Sequence, residues 1–318
     1  LPQALALYES MRRHIERFRL WVLALTPECE AILQRLQLEY LQVVSIAHLE
    51  GQDADLSRAR ANRSLAEFYF TLTPCFLFYL LARKSAPERL TYLDADTFFF
   101  SDPSPVEQEV ASSSIAITPH RFRANLAHHL RYGVYNVGWL SFRNNAQGRA
   151  CLARWRLQCL EWCRDVAEGG RFADQGYLNE WPKLYSELHI LSRPGFNEGP
   201  WNLDPALVSL RNNGVYVQDQ LLTLFHFQGL RRMAPDVFNP NWHDYGLRPS
   251  RLVVQNVYRP YLEAIGQAEQ NAGLRAEGQE FIRGQNPGGK KKFRLPWHER
   301  IRTAVKIMRG SYLSLPGR

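Results

Sequence analysis

The fold of this chain turns on Leu90-Thr91-Tyr92-Leu93-Asp94-Ala95-Asp96. The first four residues read as a strand, and the chain leaves it directly into two carboxylates. Side chains two apart on extended backbone point the same way, so Asp94 and Asp96 can address one point. Carboxylates held that close repel unless a proton or a cation lies between them. A hard divalent ion, Mg²⁺ or Mn²⁺, meets that need and can bridge onward to a diphosphate. Ordinary turn chemistry accounts for a lone pair of aspartates equally well. The surrounding sequence has to decide.

Working outward, strand-like and helix-like stretches alternate. Helices are expected over 4–17 and 27–38, and strands over 20–25 and 43–46. Pro27 suits a first helical position. A long helix over 57–83 is expected to kink or split at Pro74. Beyond the aspartates, strands are expected over 114–117, 138–142 and 221–227, with helices over 145–168 and 253–269 and a short one beginning at Asp174. This order predicts an α/β protein: a Rossmann-like, mostly parallel sheet flanked by helices, with a C-terminal helical extension. The expected division is a catalytic domain over 1–250, a helix packing on it over 251–282, and a basic tail over 283–318. Rossmann-like domains open on a strand, whereas this sequence opens on a helix. A first strand is therefore expected upstream of Leu1, with consequences for recognition of a base.

The net charge of +8 is concentrated at one end. From Arg283 onward there are ten Lys or Arg against one acid, Glu299, so that segment carries +9 and the rest of the chain sums to −1. A nucleic-acid binder with a basic main domain is excluded. No apolar run approaching ~18 residues is read from the sequence, and the start lacks the profile of a secretory signal. The five cysteines contain no CxxC pair and read as buried reduced thiols, so a cytoplasmic location is expected.

Four motifs in order change the standing of the aspartate pair. Tyr92-Leu93-Asp94-Ala95-Asp96, Asn136-Val137-Gly138, Asp174-Gln175-Gly176 and His226-Phe227-Gln228-Gly229 resemble, in sequence and order, the retaining GT-A glycosyltransferases called family 8, the glycogenin-like and lipopolysaccharide-galactosyltransferase-like enzymes. The resemblance spans 92–232. It implies that Asp94 bridges metal and nucleotide ribose, that Asp96 chelates the metal, and that His226 is the third protein ligand. It implies that Asn136, Asp174 and Gln175 hold sugar hydroxyls, and that Gly229 lets backbone approach a phosphate. Arg232 falls where the family has a diphosphate-contacting lysine. Met233-Ala234 departs from the Pro-Trp expected next, which puts the pose of that loop in question. Arg63, ahead of the long helix, is a further candidate for the diphosphate or sugar.

Each residue also has an ordinary reading: Asp174 as a helix cap, Asn136 as a turn residue, His226 as a satisfied core histidine, Arg63 as a surface charge. His120-Arg121-Phe122-Arg123 and His128-His129 are expected in a loop that could touch the acceptor.

The function implied is transfer of a hexose, expected to be UDP-linked, to a glycan or glycolipid acceptor, with Mn²⁺ or Mg²⁺ and with retention at the anomeric carbon. A sugar nucleotidyltransferase is the rival enzyme, but the Gly-rich basic phosphate loop it needs is not found. A glycosidase needs carboxylates about 5 Å or more apart across the sugar, which i and i+2 on one strand face do not provide. A membrane-associated nucleotide-sugar or carbohydrate-binding protein without turnover is the non-enzymatic alternative. In the tail, Trp297, Ile301, Val305 and Met308 make an apolar stripe among Arg300, Arg302, Lys306 and Arg309, behind Lys290, Lys291 and Lys292. That pattern suits an amphipathic helix lying on an anionic membrane, so a peripheral position on the inner face is expected.

Overall fold

The computed structural model describes residues 1–212, 214–234, 236–274, 306 and 311–314. Helix α1 (Pro2–His14) leads into strand β1 (Leu20–Ala24), and α2 (Pro27–Leu36) leads into β2 (Leu41–Ser45). β1 and β2 pair parallel with Val22 opposite Val43, and α2 supplies the crossover that a parallel pair needs. The start of α2 is written locally. Thr26 Oγ1 accepts from Cys29 N at 3.2 Å, Pro27 sits in the first turn, and Glu28 and Glu30 face the positive helix end.

Two short helices, α3 (Ile46–Gln52) and α4 (Ala54–Arg60), precede α5 (Leu65–Ala82). The helix expected over 57–83 is thus corrected. It breaks ahead of Ser64, which with Glu67 forms a reciprocal capping box, and Pro74 lies inside a continuous α5. By length and composition α5, with mean hydropathy 1.5, could cross a membrane, which corrects the expectation that no run comes near that length. Its Phe68, Leu72, Cys75 and Leu77 are buried in the main core.

The chain continues through β3 (Arg89–Leu93), β4 (Thr97–Phe99), α6 (Ser104–Val110), β5 (Ile115–Pro119), β6 (Tyr135–Arg143), α7 (Ala146–Glu161), α8 (Trp181–Leu184) and β7 (Leu188–Ile190). β3, β6, β5 and β7 form one sheet in that order. β5 and β7 are parallel, and β6 runs antiparallel to both its neighbours. The α/β class is as expected, with a mixed sheet. α5 and α7 pack on one face around Leu140, Phe142 and Trp155. α1 and α6 cover the other through Leu7, Met11 and Val106, against Ala116 and Trp139. α7 ends at Glu161, short of the expected 168, and Trp162 turns extended beneath the Arg171 guanidinium at 4.5 Å.

A hairpin of β8 (Val208–Arg211), β9 (Gly214–Val217) and β10 (Gln220–Leu221) follows, then β11 (Leu224–His226), β12 (Arg231–Ala234) and β13 (Val237–Asn239). The single strand expected over 221–227 is therefore two, with different partners: β10 on β9 and β11 on β4. One turn of helix, α9 (Arg251–Val253), passes through a π-helical turn at Val254–Tyr258 into α10 (Arg259–Asn271). α10 packs along α1, and β14 (Leu313–Ser314) adds to β13. The apolar stripe of the tail, Trp297, Ile301, Val305 and Met308, lies outside the described residues. All five cysteines are free, four of them buried.

Candidate active site

Strand β3 is held in register by β6, and Asp94 N extends the ladder by donating to Gly138 O at 3.1 Å. The chain then turns: Thr97 N and Oγ1 both bond Asp94 O, at 3.1 and 2.8 Å. β4 leaves the turn and pairs antiparallel with β11, which sets His226 opposite Thr97. Phe227 N donates to Asp96 O at 2.8 Å, extending the pairing past the turn. This long-range pairing brings the histidine to the aspartates. Beyond it, Phe227 stacks on Tyr261 at 3.8 Å and meets Tyr258 edge-on, which fixes β11 against the C-terminal helices.

His226 Nε2 lies 3.0 Å from Asp96 Oδ1 and 3.5 Å from Asp94 Oδ2. One ligand atom from each of the three residues falls within 4.8 Å of the other two. His226 is buried, while the aspartate side chains keep 32% and 24% of their surface exposed, so the cluster opens on the carboxylate side. Tyr92 Oη donates to Asp94 Oδ1 at 2.6 Å and orients that carboxylate.

The charges are tightly linked. Burial and then Asp96 raise the Asp94 pKa against the pull of His226. Burial also works against an ionised Asp96, but His226 and hydrogen bonds outweigh it and the net shift is downward. The His226 pKa is raised because the two carboxylates outweigh its burial. The site thus draws positive charge between two carboxylates, and a divalent cation can take the place of the imidazolium proton. The donor set fits: two hard oxygens and one imidazole nitrogen that lies 3.0 and 3.5 Å from them, near the ~3 Å between adjacent corners of an octahedron with ~2.1 Å bonds.

Beneath the cluster is a buried polar network. Asn136 Oδ1 accepts from Gly138 N at 2.8 Å and from Asn197 Nδ2 at 3.0 Å, and its Nδ2 meets His120 Nε2 at 3.2 Å. A register shift between Ile117 and Thr118 on β5 puts Asn136 opposite Thr118, as bulges that re-aim site side chains do. Burial pushes His120 down to about 3, so it is neutral and can accept from Asn136. Trp201 stands edge-on to His226 at 5.2 Å and donates from Nε1 to His120 O at 2.8 Å.

Asp174 follows Ala173, which sits in the left-handed region at φ +45, and its carbonyl accepts from Trp155 Nε1 at 2.8 Å. Burial, then the Asp94 charge, raise the Asp174 pKa to about 8, so its carboxyl holds a proton at neutral pH. The native state then binds one more proton than the unfolded chain from about pH 4 to 8, so stability falls as pH rises through that window. Urea unfolding of wild type should lose stability between pH 5 and pH 8, and Asp174→Asn should flatten that loss. Identical pH profiles for the two proteins would contradict the assignment.

Gln175 Nε2 donates to Tyr132 O at 3.0 Å, tying the Asp174–Gln175 corner to the 124–132 turn. Gly229 has φ +78, and a Cβ there would come within 2.5 Å of Asn241 Nδ2, so glycine is required whatever binds nearby. Arg232 pairs with Glu269 and lies over the Phe238 ring at 4.6 Å. Met233 and Ala234, read as part of a loop, belong to β12.

Arg63 is corrected. Its guanidinium donates to Cys159 O and Leu160 O at 2.7 and 2.8 Å, to Thr71 Oγ1 at 3.0 Å and to Asn62 Oδ1 at 2.8 Å. It satisfies the last carbonyls of α7 and commits four of its five N–H donors to protein acceptors, a structural engagement. Arg63→Ala should cost about 2–3 kcal/mol in urea unfolding, with nucleotide affinity of the folded protein unchanged.

Sequence reasoning missed Asn197 and Glu198. Asn197 adopts φ +49 and is 1% exposed. Glu198 pairs with Arg121 at 3.1 Å, and His226 N donates to Glu198 O at 2.7 Å, so this segment flanks β11 opposite β4. The available signal was the run Phe196-Asn197-Glu198-Gly199-Pro200-Trp201, whose Gly and Pro read as an ordinary loop. His120-Arg121-Phe122-Arg123, expected in a loop that could touch the acceptor, is tied down: Arg121 and Arg123 donate to backbone carbonyls at 193, 196, 200 and 203.

No protein-family model matches the chain. Two uncharacterized proteins of Bacillus subtilis (strain 168) are similar. YfnD is 28% identical over 256 residues, covering 80% of this chain and 81% of YfnD. YfnF is 30% identical over 240 residues, covering 73% and 78%. The chain belongs to the family of YfnF. Among solved structures, the galactosyltransferase LgtC in complex with donor and acceptor sugar analogs matches with a TM-score of 0.52 at 12% identity, over 84% of this chain and 91% of that one. The fold is the GT-A fold of that structure.

Proposed function

We propose that the protein is a divalent-metal-dependent glycosyltransferase that moves a hexose from a nucleoside diphosphate, expected to be UDP, to a hydroxyl of a glycan or glycolipid. The observation that carries this reading is the Asp94–Asp96–His226 cluster at the end of β3 in a GT-A fold. Asp94 and Asp96 present the open side of the cluster, and His226 closes it from below. Mn²⁺ or Mg²⁺, when bound, supplies a Lewis acid and template for the leaving diphosphate. Protonated Asp174 and the Oε1 of Gln175, whose Nε2 is engaged, offer one donor and one acceptor to sugar hydroxyls. Gly229 and Arg232 are the residues we assign to the diphosphate side. Asn136, with its amide engaged below Gly138, supports the floor of the site. The resemblance to family 8 supports retention. We see no side chain required as a nucleophile, so the leaving phosphate is the group proposed to take the acceptor proton.

The test is release of nucleoside diphosphate from a panel of nucleotide sugars with and without Mn²⁺. Metal-dependent release from one or a few donors is expected, and metal-independent release would contradict the reading.

The tail supports a peripheral position on the inner face of an anionic membrane, through ten basic residues against one acid from Arg283 onward. Flotation with anionic vesicles should recover the full chain and lose the form lacking 290–318. Equal recovery of both would remove this proposal.

A further inference from the structure

The two ring nitrogens of His226 stand in different surroundings. Nε2 faces Asp96 Oδ1 at 3.0 Å, while Nδ1 is buried with no hydrogen-bond partner among the described residues. A neutral imidazole offers Nε2 to a cation only when its proton sits on Nδ1. A buried Nδ1–H is costly unless an acceptor faces it. Asn136 Oδ1 is the acceptor on that side: the point a Cβ on Gly138 would take lies 2.3 Å from His226 Nδ1 and 2.6 Å from Asn136 Oδ1.

Two backbone groups fix which end of the Asn136 amide stands there. Gly138 N–H, a donor only, lies 2.8 Å from Oδ1 and requires an oxygen at that position. At the far end of the chain of bonds, Val134 O, an acceptor only, lies 3.2 Å from His120 Nδ1, so that nitrogen carries a proton. The buried His120 ring is neutral, which leaves a lone pair on Nε2, 3.2 Å from Asn136 Nδ2. Asn197 Nδ2 donates to Asn136 Oδ1 at 3.0 Å and meets Thr118 Oγ1 at 2.6 Å. The His120 ring is itself held, with Phe122 stacked on it at 4.5 Å and Trp201 Nε1 donating to its carbonyl at 2.8 Å.

We propose that Asn136 is a positioning residue for His226: held by Gly138 N and His120 Nε2, its Oδ1 keeps the imidazole in the tautomer with the proton on Nδ1 and the Nε2 lone pair free for a cation. This rests on the reading of Asp94, Asp96 and His226 as the cation site. With the amide turned over, Nδ2 would face His226 Nδ1 and favour a lone pair there. The ring proton would then sit on Nε2, where it competes with the cation. Turning the amide over would also set Gly138 N–H and Asn197 Nδ2 against a donor, so the network has one consistent direction. Gly138 completes the arrangement, because only a residue without a Cβ lets Asn136 and His226 share that space. His120, Asn136 and Asn197 thus act on the cation through His226, without touching it.

The test is Mn²⁺ affinity, read by electron paramagnetic resonance with no nucleotide sugar present, so that contact with a sugar plays no part. Asn136→Leu keeps the size of the side chain and removes both polar ends. It should weaken Mn²⁺ binding by about 10–100-fold, the range for loss of a group that orients a metal-binding histidine. Asn136→Asp keeps an oxygen in the place of Oδ1 and should bind Mn²⁺ as wild type does. Both variants disturb the bond to His120 and should unfold more easily, so affinity alone separates positioning from packing. A second reading needs no variant: nitrogen-15 NMR of the wild-type protein should place the His120 proton on Nδ1. Unchanged affinity in Asn136→Leu, equal weakening in Asn136→Leu and Asn136→Asp, or a neutral His120 with its proton on Nε2 would each overturn the inference and leave the cation site standing. A wild-type protein that binds no Mn²⁺ would overturn the cation site, and this inference with it.

Discussion

Asp96→Asn should lower glycosyl transfer by about three orders of magnitude, the scale of losing a preorganised charge at a developing oxyanion. Asp96 makes the shorter contact to His226, 3.0 Å against 3.5 Å for Asp94, and its pKa is held down. It is thus the carboxylate most firmly ionised and the strongest single attraction for a cation. The amide keeps the shape and removes the charge, so the fold should persist while metal binding, read by Mn²⁺ electron paramagnetic resonance, is lost. The raised pKa of His226 depends chiefly on Asp96, so in the variant it should fall. Full activity in Asp96→Asn would remove the cluster from the chemistry.

Gly138→Ala is expected to act almost as strongly from a residue with no side chain. A Cβ at Gly138 would lie 2.3 Å from His226 Nδ1 and 2.6 Å from Asn136 Oδ1. Neither neighbour can swing aside: His226 is 2% exposed and Asn136 3%, with Asn136 held by Gly138 N and Asn197. Such overpacking costs about 1–3 kcal/mol. A displacement of a positioned group by about 1 Å can cost 10²-fold in rate. Gly138→Ala should therefore lower the unfolding midpoint and reduce Mn²⁺ affinity together. Gly51→Ala, with nothing within 4 Å of the added methyl, is the control and should be neutral or slightly stabilising. Unchanged metal affinity in Gly138→Ala would show that His226 is not a ligand.

The parts of the site that could be read from the sequence are those whose meaning is local. Asp94 and Asp96 share a side because extended backbone alternates, and the cap of α2 is spelled by Thr26-Pro27. The break before α5 was equally local, in Ser64 and Glu67, but the weight given to Pro74 hid it. His226 could be named from its motif, yet its place beside Asp96 comes from pairing β4 with β11, more than a hundred residues apart in sequence. No periodicity specifies that pairing. Asn197 and Glu198 were hidden for the same reason: polar residues in a Gly- and Pro-rich run read as solvated until the fold buries them. Arg63 shows the converse, a charge that looks free in sequence and is consumed by the end of a distant helix.

The central claim is that Asp94, Asp96 and His226 together hold the cation that carries a nucleotide sugar. Calorimetric titration of the protein with a panel of nucleotide sugars, with and without Mn²⁺, tests it most directly. The account predicts binding of at least one donor, UDP-linked, only when Mn²⁺ is present, and no binding heat from Asp96→Asn under the same conditions. Equal affinity with and without the metal, or unimpaired binding by Asp96→Asn, would contradict it.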